Sequence, residues 1–309
     1  GAEYAGRSGA NGDCQAGDLI QLEPHTNPPR GHHLMRAILV PVAGRPECER
    51  ALPIAFDLAD RIGASVNGCH MRPHRYAGSH YAPNSAESSW NKKTTADSRA
   101  AARSLFENAA DTKAYPLSKS PRPEPVAIWT EKVGSPGKLM GIVGPLADMI
   151  VVSRPKKRGT VADMFLGAAL LESGRPVLIL PPSGRKSIGR HVCIGWNQTS
   201  EGARSVAAVM PLIAAAETVT VVSCGPEDRA GPKSTELVRY LKYYGIKAGR
   251  VTTRGRDIEA ELAAVCNEQG ADLIVGGAYS KSRWQQKIFG GTTEWLIHEC
   301  KLPVLLQHG

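Results

Sequence analysis

The feature that most constrains this chain is that it carries one pattern twice. The segment 148-DMIVVSRP returns as 272-DLIVGGAY, and 175-RPVLILPP returns as 302-LPVLLQHG at nearly the same separation. The openings 37-AILVPVAG and 192-VCIGWNQT also match. They stand about thirty residues further apart, so the first copy holds an insertion around 72–93. With 309 residues in all, either copy is long enough to bury its own core.

Each copy alternates strand and helix. In the first, short apolar runs predict strands at 37–42, 65–70, 126–131, 149–153 and 177–180, with helices at 47–62, 86–112, 136–145 and 163–172. Pro53 inside the first helix predicts a kink or a late start. In the second, strands are expected near 191–196, 218–223, 246–251, 271–276 and 303–306, and helices at 200–216, 234–244, 256–269 and 293–301. Gly270 ends the third of these helices as a C-cap would. Strand alternating with helix implies a parallel sheet covered on both faces. The fold class is therefore α/β: two tandem, doubly wound, five-stranded parallel-sheet domains. Their expected extents are 35–183 and 190–309, joined by 181-PPSGRKSIGR.

Residues 1–34 are rich in Gly, Pro, Asn and polar groups and read as an unstructured leader or tag. They lack the basic start and apolar core of a secretory signal, and no apolar run reaches the ~20 residues of a membrane span. A cytoplasmic location follows by default. The seven cysteines include no C-x-x-C, which suits buried free thiols in a reducing compartment. A net charge of +9 would attract polyanions, but the basic residues are scattered and little aromatic interleaving accompanies them, which argues against nucleic acid. His70, His74 and His80 lack companion ligands at metal spacing and read as solvated loop residues.

In an open parallel sheet, ligands bind beyond the carboxyl ends of the strands. In the second copy three loops meet there: Trp196-Asn197-Gln198, Ser223-Cys224-Gly225 and the long stretch 276-GGAYSKSRWQQKIFGGTTEWLI. Gly276 and Gly277 would let a ligand approach the backbone. Gly290, Gly291, Thr292 and Thr293 open a helix, whose free N–H groups and dipole favour an anion, with Lys281, Arg283 and Lys287 adding charge. Glu294 in the first turn suits the dipole.

This stretch resembles the loop of the universal stress protein family, G-x2-G-x9-G-[ST] after the fourth strand. Gly277, Ser280 and Gly290 stand at its three glycine positions, Gly291 at the hydroxyl position, and Thr292-Thr293 just after. The form 277-GAYSKSRWQQKIFGGTT is similar to that of tandem family members, and the resemblance runs from about Met35 to the end. It implies an adenine nucleotide alpha hydrolase-like fold and an ATP site, with or without magnesium. Asn197, where the family usually has Asp, would hold the adenine, and Cys224 would line its pocket. Gly277, Ser280 and Arg283 would lie by the ribose and phosphates, and Gly290, Gly291, Thr292 and Thr293 would hold the phosphate tail. The resemblance also implies a homodimer or protein partners, and a meeting of strands 177–180 and 303–306 within the chain.

The first copy departs from this pattern. Ala43 stands at the adenine position, Ser153 at that of Gly277, and Met164 and Phe165 lead into the helix, so this copy reads as a structural partner. Its basic run Lys156-Lys157-Arg158 reads as a solvated loop. There is no P-loop, no G-x-G-x-x-G after a first strand and no nucleophile elbow. No catalytic residue is assigned. The sequence thus predicts an ATP-binding stress-response protein, sensing or regulatory, hydrolysing ATP slowly at most. The alternative is a nucleotide-independent scaffold of the same fold acting through partners. A related ATP pyrophosphatase is disfavoured, because its S-G-G-x-D-S loop and an acidic pair for magnesium are absent.

Overall fold

Short runs of branched apolar residues become strands because a parallel sheet buries them on both faces. The first half supplies β1 (Ala37–Val42), β2 (Ser65–Arg72), a two-residue β3 (Leu117–Ser118), β4 (Ala127–Val133), β5 (Met149–Ser153) and β6 (Val177–Leu180). The second supplies β7 (His191–Gly195), β8 (Thr218–Cys224), β9 (Ala248–Thr253), β10 (Leu273–Gly277) and β11 (Val304–Gln307). The helices are α1 (Pro46–Ile62), α2 (Lys92–Thr112), α3 (Pro136–Val143), α4 (Val161–Glu172), α5 (Ser200–Ala208), α6 (Met210–Ala214), α7 (Ser234–Leu241), α8 (Ile258–Glu268) and α9 (Gly291–His298). This computed structural model describes residues 35–43, 45–72, 92–184, 186–277 and 291–307.

The strands form one eleven-stranded sheet in the order β3-β4-β2-β1-β5-β6-β11-β10-β7-β8-β9. Apart from the added β3, both halves share one strand order, with the third strand outermost and the fifth at the junction. Every pairing within a half is parallel. The halves join by one antiparallel pairing, β6 with β11, in which Leu178 faces Leu305 and Val177 faces Leu306. The expected meeting of the two last strands within the chain is therefore present. One apolar core lies between the sheet and α1, α2, α5, α6 and α7; the other lies under α3, α4, α8 and α9. Both run through the junction. Among the described residues no helix is long and apolar enough to cross a membrane.

Three elements differ from expectation for local reasons. The helix expected over 200–216 breaks at Val209 and restarts with Pro211 in its first turn, where a missing N–H costs nothing. Helix α1 starts at Pro46 and runs through Pro53 to a left-handed Gly63, so it neither starts late nor ends early. Strand β9 begins later than expected, because Gly245 is left-handed and the Ile246 N–H still bonds back to Leu241.

The repeat also reuses one device. Asp148, just before β5, accepts the N–H groups of Arg36 (2.7 Å) and Ala37 (2.9 Å), which open β1. Asp272, just before β10, accepts those of Gly189 (2.8 Å), Arg190 and His191 (both 3.1 Å), which open β7. Asp272 is buried, whereas Asp148 is only half-buried. Removing Asp272 orphans donors that water reaches poorly. Asp272→Ala should cost about 3 kcal/mol and Asp148→Ala about 1 kcal/mol in urea unfolding, the difference being the burial of the donors left behind. Equal losses would contradict this reading.

Candidate functional site

At the carboxyl edge of the second half, β10, β7 and β8 are neighbours, so the loops that follow them converge. After β7, Trp196 is buried and its indole N–H donates to Pro232 (2.8 Å). Asn197 is exposed, and its Oδ1 accepts the Thr199 hydroxyl at 2.7 Å. That leaves the amide nitrogen of Asn197 as the group offered at the edge. Thr199 in turn caps α5 by accepting the Gly202 N–H.

Gln198 is a site residue that motif reading passes over. It is buried and left-handed (φ 60°), a conformation uncommon outside glycine and asparagine. Its amide donates to the carbonyls of Arg229 (3.2 Å) and Gly231 (3.1 Å) and accepts the Arg229 N–H (3.3 Å). The loop after β8 is thereby folded over the end of β7. A Cβ at Gly231 would stand 1.9 Å from the Gln198 carbonyl oxygen, so only glycine fits.

Cys224 ends β8 half-buried, with its thiol pushed up by burial. The loop after β9 is held by Glu261. Its carboxylate accepts the N–H groups of Gly255 (2.7 Å) and Arg256 (2.9 Å) and the Thr253 hydroxyl. Led by the Thr253 bond, these contacts lower its pKa from 4.5 to about 2. A depressed carboxylate stabilises the fold above its unfolded pKa and loses that contribution as pH falls through the folded one. Glu261→Gln should therefore be less stable than the parent chain near neutral pH, the gap closing between pH 4.5 and about 2 in acid titrations of melting temperature.

Gly277 also has a packing role. A Cβ there would lie 2.6 Å from the Gly202 nitrogen and 2.9 Å from the Glu201 carbonyl carbon, both backbone atoms of α5. The glycine lets β10 pack directly on the start of that helix. At Gly276 a Cβ would meet only side chains at ordinary contact distance, Leu306 at 3.6 Å and Leu296 at 3.9 Å. Gly277→Ala should therefore cost about 2 kcal/mol or more by forcing two backbones apart, and Gly276→Ala well under half of that, read from chemical unfolding.

At the start of α9, Gly291 is exposed and Thr293 buried, while the Thr292 hydroxyl donates to Glu259 Oε1 at 2.8 Å. A carboxylate from α8 thus sits at this helix N-terminus, and a Cβ on Gly291 would lie 3.1 Å from it. Ser280, Arg283 and Gly290 lie outside the described residues. Asn197, Cys224, Gly277, Gly291, Thr292 and Thr293 do gather along one edge.

The matching edge of the first half is built otherwise. The α4 N-terminus is capped by its own residues: Thr160 accepts the Asp163 N–H, and the Asp163 carboxylate accepts the Gly159 N–H at 3.0 Å. Arg154, a residue that sequence patterns do not flag, is buried and donates to the carbonyls of Ile297 (3.3 Å) and Cys300 (2.7 Å) at the end of α9. Its charge there complements the negative end of the helix. Arg158 pairs with Glu294 at 3.0 Å, so the basic run is partly engaged across the halves. His70 corrects the reading of a solvated loop histidine. It closes the strand expected over 65–70, which runs on to Arg72, and it is buried at 3% exposure. Among the described residues no group of His, Cys, Asp and Glu could hold a metal ion.

Residues 204–308 match the Universal stress protein family. Among solved structures, a universal stress protein from Archaeoglobus fulgidus DSM 4304 aligns with a TM-score of 0.63 and 14% identity, over 89% of this chain and 98% of that one. A functionally unknown protein from Pseudomonas aeruginosa PAO1 aligns with a TM-score of 0.48 and 14% identity, over 89% and 92%, a likeness too slight to carry an argument. No curated protein matches. The first alignment spans both halves and speaks for the fold. The fold of a universal stress protein thus runs through both halves, and residues 204–308 carry the family's sequence pattern.

Proposed function

We propose that this stress-family protein binds one adenine nucleotide, ATP by preference, at the carboxyl edge of its second half. The observation that carries this reading is the gathering of Asn197, Cys224, Gly277 and the α9 N-terminus beyond the ends of adjacent central strands. The amide nitrogen of Asn197 can donate to an acceptor on the base edge while its oxygen stays on Thr199. Gly291, Thr292 and Thr293 would hold the phosphates through N–H groups and hydroxyls. The residues fit the base side well. On the phosphate side, Glu259 must first release Thr292, because a carboxylate there repels the incoming anion.

That contact is also what favours the second reading, a scaffold whose helix N-terminus is permanently neutralised by its own glutamate. With Arg154 and the α4 N-terminus engaged elsewhere, the first half lacks a phosphate cradle, so a stoichiometry of one is proposed. Hydrolysis, if any, would be slow, and the role sensing or regulatory. Ser280, Arg283, Gly290 and any magnesium belong to the same proposal, through the family resemblance.

Calorimetric titration with ATP tests this. The expected result is one site per chain, weakened about tenfold by Asn197→Ala through the lost base contact. Glu259→Gln should bind several-fold more tightly, since a like charge leaves the phosphate site. Ser153→Val, in the first half, should leave ATP binding unchanged. Two equivalent sites would overturn the stoichiometry, and no binding even by Glu259→Gln would establish the scaffold.

A further inference from the structure

The first half retains a cavity of about 80 Å³ at the carboxyl ends of β1, β2 and β5. This is several times the space that one water needs. It opens between neighbouring strands β1 and β5, the switch point where ligands enter such sheets. Its walls are mostly apolar, including Val42, Met71, Val152, Val161 and Phe165. Cys48 belongs to these walls as an uncharged group, its thiol pushed up to about 11 by burial and accepting the Ala43 N–H.

Within this apolar lining, three polar groups have no partner among the described residues. His70 is 3% exposed; its Nδ1 lies 2.8 Å from the Val42 carbonyl, and its Nε2 bonds to nothing. A carbonyl can only accept, so Nδ1 carries the proton and Nε2 presents a lone pair. Burial lowers the imidazole pKa, the Val42 bond opposing it, which keeps that lone pair available near neutral pH. Ser153 Oγ is buried without a partner, and so is Arg72 Nε, a donor in search of an acceptor. His70 and Arg72 stand two residues apart on β2 and so face the same side of the sheet. Buried groups left unpaired are costly, and three around one cavity call for a ligand that pairs them. The charged side chains of the lining are Arg45, Arg72 and Glu47, two cations against one carboxylate.

We infer that this cavity is a second ligand site, distinct from the nucleotide site, for a small, mostly apolar carboxylate that carries a hydroxyl or N–H. The donor pairs with His70 Nε2, the carboxylate with Arg72, and Ser153 completes the polar set. A nucleotide does not suit it. Ala43 offers no polar side chain to read a base, and at the α4 N-terminus the Asp163 carboxylate, which accepts the Gly159 N–H, would repel a phosphate tail.

The test uses 4-hydroxybenzoate as probe, with benzoate lacking the donor and phenol lacking the carboxylate, titrated into the full chain by calorimetry. The expected result is one site, with each truncated probe bound about tenfold more weakly. His70→Leu should bring 4-hydroxybenzoate down to the affinity of benzoate and leave benzoate unchanged. Ala162→Phe, which fills the cavity without touching a polar group, should abolish binding of all three, with thermal melting confirming that both variants fold. In the parent chain labelled with 15N-histidine, the His70 Nε2 resonance should move on adding 4-hydroxybenzoate and stay in place with benzoate. Absence of saturable binding, binding that both variants retain, or displacement of the probe by ATP would overturn the inference. None of these outcomes bears on ATP binding in the second half, which is read separately.

Discussion

The antiparallel pairing of β6 with β11 is the contact on which the rest of the structure depends. Each strand is the last of its half, and the residues that pair, 177–179 and 304–306, are branched apolar side chains buried on both faces. Left alone, either would be an exposed apolar edge, the kind of strand that recruits other chains. Pairing them inside one molecule removes both edges and makes two half-sheets into one. The apolar layers above and below then continue across the joint, so Leu178 and Leu305 share one core and Ile179 and Leu306 the other.

The joint also accounts for the inequality of the halves. The loop after β5 lies next to it, and there Arg154 caps the carbonyl end of α9 while Arg158 reaches Glu294. In a half that binds phosphate, that loop would be the cradle. Here it is committed to holding the other half in place. The first half keeps a cavity at the ends of its strands, edged by His70, Arg72 and Ser153. The second half keeps its loops on the edge, where Gln198 and Glu261 organise those after β8 and β9.

Much of the architecture was legible in the residues because it depends on local period. Runs such as MIVVS and LIVGG can only be buried strands at this length, and their return fixes the halves as equivalent. The candidate site was legible in part. Asn197, Cys224 and the Gly-Thr start of α9 fall on the expected edge because loop position follows from strand order. Gly277 was read by its motif as an approach for ligand. What it faces is the backbone of α5, and that neighbour is set by packing. His70 was misassigned because its place at the end of a strand does not say what covers it; the Trp129 ring of β4 stacks on it at 6.0 Å between centroids.

The sequence by itself determined the repeat, the alternation of strand and helix, the parallel sheet and the edge on which chemistry can occur. These follow from side-chain period and chain connectivity, which are properties of neighbours along the chain. Only the tertiary structure decided which polar atoms are paired. Asp272 is satisfied by three N–H groups more than eighty residues away, Glu259 lies against Thr292, and among the described residues His70 Nε2 has no partner. Pairing depends on distances of a few ångströms between groups far apart in sequence, and no local pattern encodes them.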